Sequence, residues 1–122
     1  MKLCLVVDDS RVIRRVAVKI IQDLGFDVGE AENGRKALAA CAIRMPNVLL
    51  IDTDMPDLGG IAAVKDLRAM PGGDRVTVIF CATENDPRSI RQALDAGGDE
   101  YIMKPFDSEI VRSKFVLLDL LD

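Results

Sequence analysis

The chain has 122 residues, of which 49% are hydrophobic and 30% charged, and this composition predicts one soluble globular domain. Its net charge of −4 disfavours nucleic acid as a partner, because nucleic-acid binding needs a basic face. No apolar run approaches the roughly 20 residues that cross a bilayer, and the N-terminus lacks the pattern of a signal peptide. We therefore expect a cytoplasmic protein without membrane insertion.

Five short apolar runs alternate with helical patterns along the chain, which is typical of a parallel sheet covered on both faces. The predicted strands cover 3–7, 27–31, 48–51, 76–81 and 100–103. The predicted helices are bounded by Ser10 and Gly25, Asn33 and Pro46, Gly59-Gly60 and Pro71, Asp86 and Gly97, and Asp107 and Leu121. This alternation fills the chain, so we expect a single domain over 1–122 with no output domain.

Apolar residues at helical spacing predict which helix faces are buried. In the first helix these are Val12, Ile13, Val16, Ile20 and Leu24, and in the fourth they are Ile90, Ala93 and Leu94. Three arginines, Arg11, Arg14 and Arg15, lie opposite the first stripe and indicate a solvated face. The tail 115–121 is more apolar than one stripe requires, which indicates either an interface or packing on the sheet.

Cysteine and histidine usage restricts the chemistry. Cys4, Cys41 and Cys81 lie in apolar runs or on a helix without C-x-x-C spacing, so we expect buried reduced thiols. The chain contains no histidine. Any histidine in its chemistry must therefore come from a partner.

Charged residues follow three of the predicted strands. Asp8 and Asp9 follow the first strand, Asp52 and Asp54 the third, and Lys104 the fifth, just before Pro105. In an open α/β sheet the carboxyl ends of strands meet at one crevice. Carboxylates and an ammonium in one crevice predict a site for a hard divalent cation and a phosphoryl group.

Within this set Asp52 is the best candidate for the reacting group, because a carboxylate can accept a phosphoryl group covalently. Mg²⁺ prefers oxygen ligands, which Asp9, Asp52 and the backbone carbonyl of Asp54 can supply. Lys104 offers a compensating charge to the acids and then to the phosphoryl oxygens.

The chain resembles the receiver domain of two-component response regulators, in particular its single-domain chemotaxis type. The resemblance covers essentially the whole chain and is carried by Val6-Val7-Asp8-Asp9-Ser10, Ile51-Asp52-Thr53-Asp54-Met55-Pro56 and Asp99-Glu100-Tyr101-Ile102-Met103-Lys104-Pro105-Phe106. It implies a flavodoxin-like doubly wound fold with five parallel strands in the order 2-1-3-4-5 and five helices.

The resemblance also implies roles for these residues. Asp52 would be the phosphoacceptor, and Asp8 and Asp9 would hold Mg²⁺ with Asp9 as direct ligand. Lys104 would contact the phosphoryl group, and the Lys104–Pro105 peptide can be cis. The donor would be a phosphohistidine on a sensor histidine kinase or phosphotransfer protein. The protein would not be an enzyme beyond its own phosphorylation and slow dephosphorylation.

One position departs from the family pattern. Receivers place a Thr or Ser at the end of the fourth strand, and the usual spacing from Lys104 puts Ala82 there, with Thr83 next. Alternate strand residues face opposite sides, so Thr83 does not simply replace it. Either switching is weak, or it takes another route, or the alignment slips by one residue.

Other positions match family sites of switching and output. Tyr101 is either the aromatic switch or an ordinary strand aromatic, while Asp54 and Glu84 either tune dephosphorylation or are solvated loop acids. The expected output surface comprises Arg88, Arg91, Tyr101 and the last helix, and we expect a downstream protein target there, with chemotaxis as the expected pathway.

Two other classes stay open. Ala82 and the arginines of the first helix motivate a degenerate receiver that binds a partner or nucleotide without phosphorylation. Asp52-Thr53-Asp54 also resembles the nucleophile motif of haloacid-dehalogenase-type phosphatases, although those place it on the first strand and need a longer chain.

Overall fold

A computed structural model describes residues 2–83 and 86–121. In this part of the chain the strands are β1 (Leu3–Val7), β2 (Asp27–Ala31), β3 (Val48–Asp52), β4 (Thr77–Ala82) and β5 (Glu100–Met103). The helices are α1 (Arg11–Asp23), α2 (Gly34–Ile43), α3 (Gly60–Ala69), α4 (Pro87–Asp95) and α5 (Ser108–Leu117), and a short 3-10 turn covers Gly73–Arg75.

All neighbouring strands pair in parallel, in the order β2-β1-β3-β4-β5, which confirms the predicted doubly wound sheet. The chain runs outward from β1 to β2 and then returns to β3 on the other side of β1. The carboxyl ends of β1 and β3 therefore flank the point where strand order reverses, and a crevice forms there.

The strands are almost fully buried because helices cover both faces of the sheet. Residues of odd number in β1 and β3, such as Leu5 and Leu49, pack under α2, α3 and α4. Residues of even number, such as Val6 and Leu50, pack under α1 and α5, where Phe26 meets Phe115 edge to face. The three cysteines are buried free thiols, as predicted.

Side-chain caps fix the helix starts that the sequence predicts. The side chains of Ser10, Asn33, Asp86 and Asp107 each accept a backbone N–H of the following helix. Across residues 2–83 and 86–121, none of the helices combines the length and the apolar character needed to span a membrane.

Two predictions about helix faces were wrong in part. Val12 and Val16 are 72% and 46% exposed, and Leu94 is 41% exposed. Each lies at the margin of its apolar stripe, and the sheet covers only the centre of that stripe, where Ala17, Ile21 and Ala93 lie.

The last helix is shorter than predicted. It ends at Leu117 rather than Leu121, because Asp119 has a left-handed φ of 59° and the backbone N–H of Leu120 donates to Phe115. The chain folds back, and the leucines at 118, 120 and 121 pack against the core. Strand bounds shift by one residue: β3 includes Asp52, and β4 covers 77–82 instead of 76–81.

Candidate phosphoacceptor and metal site

The carboxyl edge of the sheet brings the predicted acids and lysine together. Lys104 Nζ lies 2.6 Å from Asp8 Oδ2 and 3.2 Å from Asp52 Oδ2. Asp8, Asp9 and Asp52 each present a carboxylate oxygen, and these three oxygens lie within 4.8 Å of one another. Residues 96 positions apart thus meet because β1, β3 and β5 end at the same edge.

Asp8 and Asp52 are buried, while Asp9 is exposed. Asp8 Oδ1 accepts the backbone N–H of Ser10 at 2.8 Å, and Asp52 Oδ1 accepts that of Asp54 at 3.4 Å. Asp52 is therefore oriented by the loop that follows it, with its second oxygen turned to Lys104.

Glycine lets the start of α3 approach Asp52 closely. A Cβ at Gly60 would lie 2.0 Å from the carbonyl oxygen of Asp52, and the backbone N–H of Gly60 donates to Thr53 at 3.1 Å. The loop between β3 and α3 thus closes on itself at the site. Asp54 lies in this loop with an exposed side chain.

The charges of the site do not balance. Burial raises the pKa of Asp52 above its usual value, the Lys104 charge opposes this, and the Asp8 charge adds to it. For Lys104, burial alone would lower the pKa, but the hydrogen bond that it donates to Asp8 and the charges of both acids raise the pKa overall. The Lys104 ammonium pairs with Asp8 and Asp52, and Asp9 lies beside them, so the three carboxylates outnumber the ammonium and leave negative charge for a further cation.

This donor set fits Mg²⁺. Carboxylate oxygens are its preferred protein ligands, and Asp8, Asp9 and Asp52 offer three from two neighbouring strands. Cys81, beside Asp52 in the ladder, adds no soft ligand, because burial raises the pKa of its thiol to about 12.

Two of the residues predicted to take part in switching, Ala82 and Thr83, lie near Lys104. Ala82 is buried at the end of β4, and its carbonyl accepts the Lys104 backbone N–H at 2.8 Å. Thr83 is exposed and lines an apolar groove of about 330 Å³ with Lys104 and neighbouring residues of α1 and the β5–α5 loop. The Lys104–Pro105 peptide is cis.

Tyr101 is half-buried on β5, where its hydroxyl donates to the sulfur of Met103. Burial raises the pKa of its phenol. Arg88 and Arg91 are exposed on α4, as expected for an output surface. The Glu84 prediction lies outside the described residues.

Arg14 was missed by the sequence analysis, which placed it on the solvated face of α1. Arg11 and Arg15 are exposed, but the Arg14 side chain is only 14% exposed and its Nη1 donates to the carbonyl of Asp8 at 2.7 Å. The available signal was its position one turn into the helix, since helical side chains lean toward the N-terminus and hence toward the end of β1.

The chain is similar to known proteins in sequence and in fold. Residues 4–115 match the family described as response regulator receiver domain. The chain is 38% identical to the chemotaxis protein CheY1 of Helicobacter pylori over 116 residues, 93% of each chain, and 33% identical to CheY of Thermotoga maritima over 106 residues, 86% and 87% of the two chains. A solved structure of Vibrio cholerae chemotaxis protein CheY4 superposes with a TM-score of 0.91 at 30% identity over 99% of both chains. With this match in sequence and fold, the chain belongs to the response regulator receiver domain family.

Proposed function

We propose that this receiver accepts a phosphoryl group on Asp52 from a phosphohistidine of a sensor histidine kinase or phosphotransfer protein. The observation that carries the proposal is the position of Asp52. Lys104 Nζ lies 3.2 Å from one of its oxygens, and the acid pair, Asp8 and Asp9, lies beside it. Relatives named as chemotaxis proteins support chemotaxis as the pathway.

Asp52 supplies the only covalent bond that the protein makes in the proposed transfer. An Asp52 oxygen forms a bond to phosphorus while the phosphorus–nitrogen bond to the donor histidine breaks, and its electron pair stays on the imidazole. Lys104, already 3.2 Å from Asp52 Oδ2, compensates the charge that develops on the phosphoryl oxygens. The absence of histidine in this chain agrees with a donor on another protein.

Asp8, Asp9 and Asp52, with the Asp54 carbonyl, are the residues that would hold Mg²⁺. Bound Mg²⁺ supplies positive charge that offsets the crowding of phosphoryl and carboxylate oxygens. Asp8 also orients Lys104 through its 2.6 Å contact, so the acid pair and the lysine act as one unit.

The decisive experiment is intact-mass measurement after incubation with acetyl phosphate, with and without Mg²⁺. We expect one Mg²⁺-dependent phosphoryl group on the wild-type protein and none on Asp52→Asn. Asp57→Asn is the matched control, because Asp57 is an exposed aspartate in the same loop. No adduct on folded wild-type protein would reject the proposal and favour the degenerate receiver that Ala82 motivates.

The same protein can be tested as a phosphatase. Asp52 ends the third strand rather than the first, and the whole-chain match to receivers disfavours a haloacid-dehalogenase-type enzyme. We expect self-phosphorylation and slow self-dephosphorylation only. Steady turnover of p-nitrophenyl phosphate would overturn this expectation.

Asp54 and Glu84 are proposed to tune dephosphorylation by controlling access of the attacking water. The Asp54 side chain is exposed beside Asp52, at the open side of the site. Replacing both acids by their amides should change the lifetime of the phosphorylated form. An unchanged dephosphorylation rate would reject this role.

Output is proposed to pass through α4, β5 and α5. Arg88 and Arg91 present positive charge there, and Ile110 and Leu117 expose apolar surface. Tyr101 lies on β5, the strand between α4 and α5 in chain order, although Ala82 lacks the hydroxyl of the usual switch. Mapping amide shifts before and after phosphorylation tests this route: changes confined to the site itself would show that it is not used.

A further inference from the structure

Arg14 contacts the main chain of the acid pair from outside the proposed site. It lies on α1 with its side chain 14% exposed, and its guanidinium forms two contacts. Nη1 donates to the Asp8 carbonyl at 2.7 Å, and Nε donates to Glu30 Oε1 at 3.3 Å. Arginine stays charged at all working pH values, so the bond to the carbonyl is charge-assisted.

Asp8 is held from four directions. Its N–H donates to Ala31 at 3.2 Å, and its two carboxylate oxygens accept from Ser10 and Lys104. Its carbonyl, one residue past the end of β1, accepts from Arg14. Because Asp8 is 3% exposed, a buried polar group there needs its partner, and loss of the Arg14 bond frees the peptide to move.

We infer that Arg14 is a positioning residue that fixes the Asp8 carboxylate between Lys104 and the metal site, an inference that rests on the proposed function. Mg²⁺ demands near-octahedral geometry, so a shift of the Asp8 backbone weakens its binding. Glu30 holds the guanidinium in place by its contact with Nε, and β2 thereby supports the site from the neighbouring strand.

The Arg14 charge has an opposing effect that the experiment must separate. A cation close to the acid pair repels a second cation, so its removal would tighten Mg²⁺ binding if repulsion dominated. If positioning dominates, removal of the Arg14 side chain weakens Mg²⁺ binding instead. The sign of the change in Mg²⁺ affinity therefore decides between the two effects.

The test compares Arg14→Gln, Arg14→Lys and Arg15→Gln. The last is the matched control, with the same change of charge one residue along the helix but at an exposed side chain. Mg²⁺ affinity is measured by calorimetry and by the Mg²⁺-dependent rise in Tm, using the metal alone.

We expect the dissociation constant for Mg²⁺ to rise about tenfold in Arg14→Gln, as for other residues that orient metal ligands. It should rise less in Arg14→Lys and stay unchanged in Arg15→Gln. An unchanged or lower dissociation constant in folded Arg14→Gln would overturn the inference.

A metal-free readout separates this inference from the proposed function. The ¹³Cε and ¹⁵Nζ resonances of Lys104 report its 2.6 Å contact with Asp8, which lies between Lys104 and Arg14. They should shift in Arg14→Gln and not in Arg15→Gln. If the wild-type protein bound no Mg²⁺, the metal site would be rejected, and these resonances would still decide: unmoved resonances in Arg14→Gln would reject the positioning role.

Discussion

Two clusters of charged side chains lie at opposite ends of the sheet, and they differ in how their charges are matched. At the amino edge, Arg68 donates to the carbonyls of Gly73, Val76 and Gly97 and pairs with Asp99 at 3.1 Å. At the carboxyl edge, Lys104 pairs with Asp8 and Asp52, and a carboxylate oxygen of Asp9 lies within 4.8 Å of oxygens of both acids.

In the Arg68 cluster the charges are matched and the guanidinium donors all have acceptors. One guanidinium meets one carboxylate, its remaining donors reach main-chain carbonyls, and Asp99 also accepts the backbone N–H of Val78 at 2.8 Å. The site around Lys104 has more negative than positive charge, and the pKa of Asp52 is raised as a result of burial and of Asp8. A balanced cluster stabilises the fold, whereas an unbalanced one is suited to bind a cation.

The largest expected effect is on stability, from Arg68→Ala. Removing the guanidinium leaves three carbonyls without this donor and the Asp99 carboxylate without its cation, so the free energy of unfolding should fall by about 3 kcal/mol. Urea denaturation measures this loss. Phosphorylation of the folded variant at low temperature should match the wild type. Loss of phosphorylation in a folded variant would show that the two clusters are coupled.

Lys104→Gln should remove about 2 kcal/mol at neutral pH, because two buried carboxylates lose their cation. The pKa of Lys104 is raised in the folded protein, so its contribution is present below the unfolded pKa and is lost as pH rises through the folded one. The difference in unfolding free energy between wild type and variant should therefore narrow only at strongly alkaline pH.

Lys65→Gln, at an exposed lysine of α3, is the control and should have little effect. A Lys104→Gln difference that stays constant through the alkaline range would contradict the ionic origin of the stabilisation.

Glycines at both clusters allow a matched pair of substitutions. A Cβ at Gly60 would lie 2.0 Å from the Asp52 carbonyl, and one at Gly73 would lie 1.8 Å from the Leu67 carbonyl. Each change to alanine should cost about 1–3 kcal/mol, because backbone must move. Gly60→Ala should also slow phosphorylation, whereas Gly73→Ala should not. Equal phosphorylation rates in the two folded variants would show that the loop does not position Asp52.

The smallest expected effect is a gain in stability from Asp52→Asn in metal-free buffer. The folded protein raises the pKa of Asp52, so the ionised form destabilises it at every pH above that value. A neutral amide removes this cost, and Tm should rise at neutral pH by a few degrees. The gain should disappear as pH falls below the unfolded carboxyl pKa, where both states are protonated.

Asp66→Asn, at an exposed aspartate of α3, controls for the change in net charge. A lower Tm for Asp52→Asn at neutral pH would show that the bond to Lys104 outweighs the burial of the charge. In that case the carboxyl edge would resemble the amino edge, and the comparison of the two clusters would fail.

The order of the elements and most of the site could be predicted from local sequence. Caps such as Ser10 and Asp107 act on the next few residues, and period and composition distinguish strands from helices. The acids at strand ends could be placed at one edge because parallel strands all end on the same side. The strand order was implied by family resemblance and confirmed by the pairing.

Only the tertiary structure decided how deeply each side chain is buried and which groups it meets. Val12 belongs to the apolar stripe of α1, yet its side chain is exposed. Arg14 belongs to the charged face of the same helix, yet it donates to the carbonyl of Asp8. The sequence pattern did not indicate the role of Arg68, because it donates to carbonyls of two separate segments, 73–76 and the loop at Gly97. Periodicity fixes the angle of a residue around its own helix, but burial and hydrogen bonding depend on what the rest of the chain places opposite that angle.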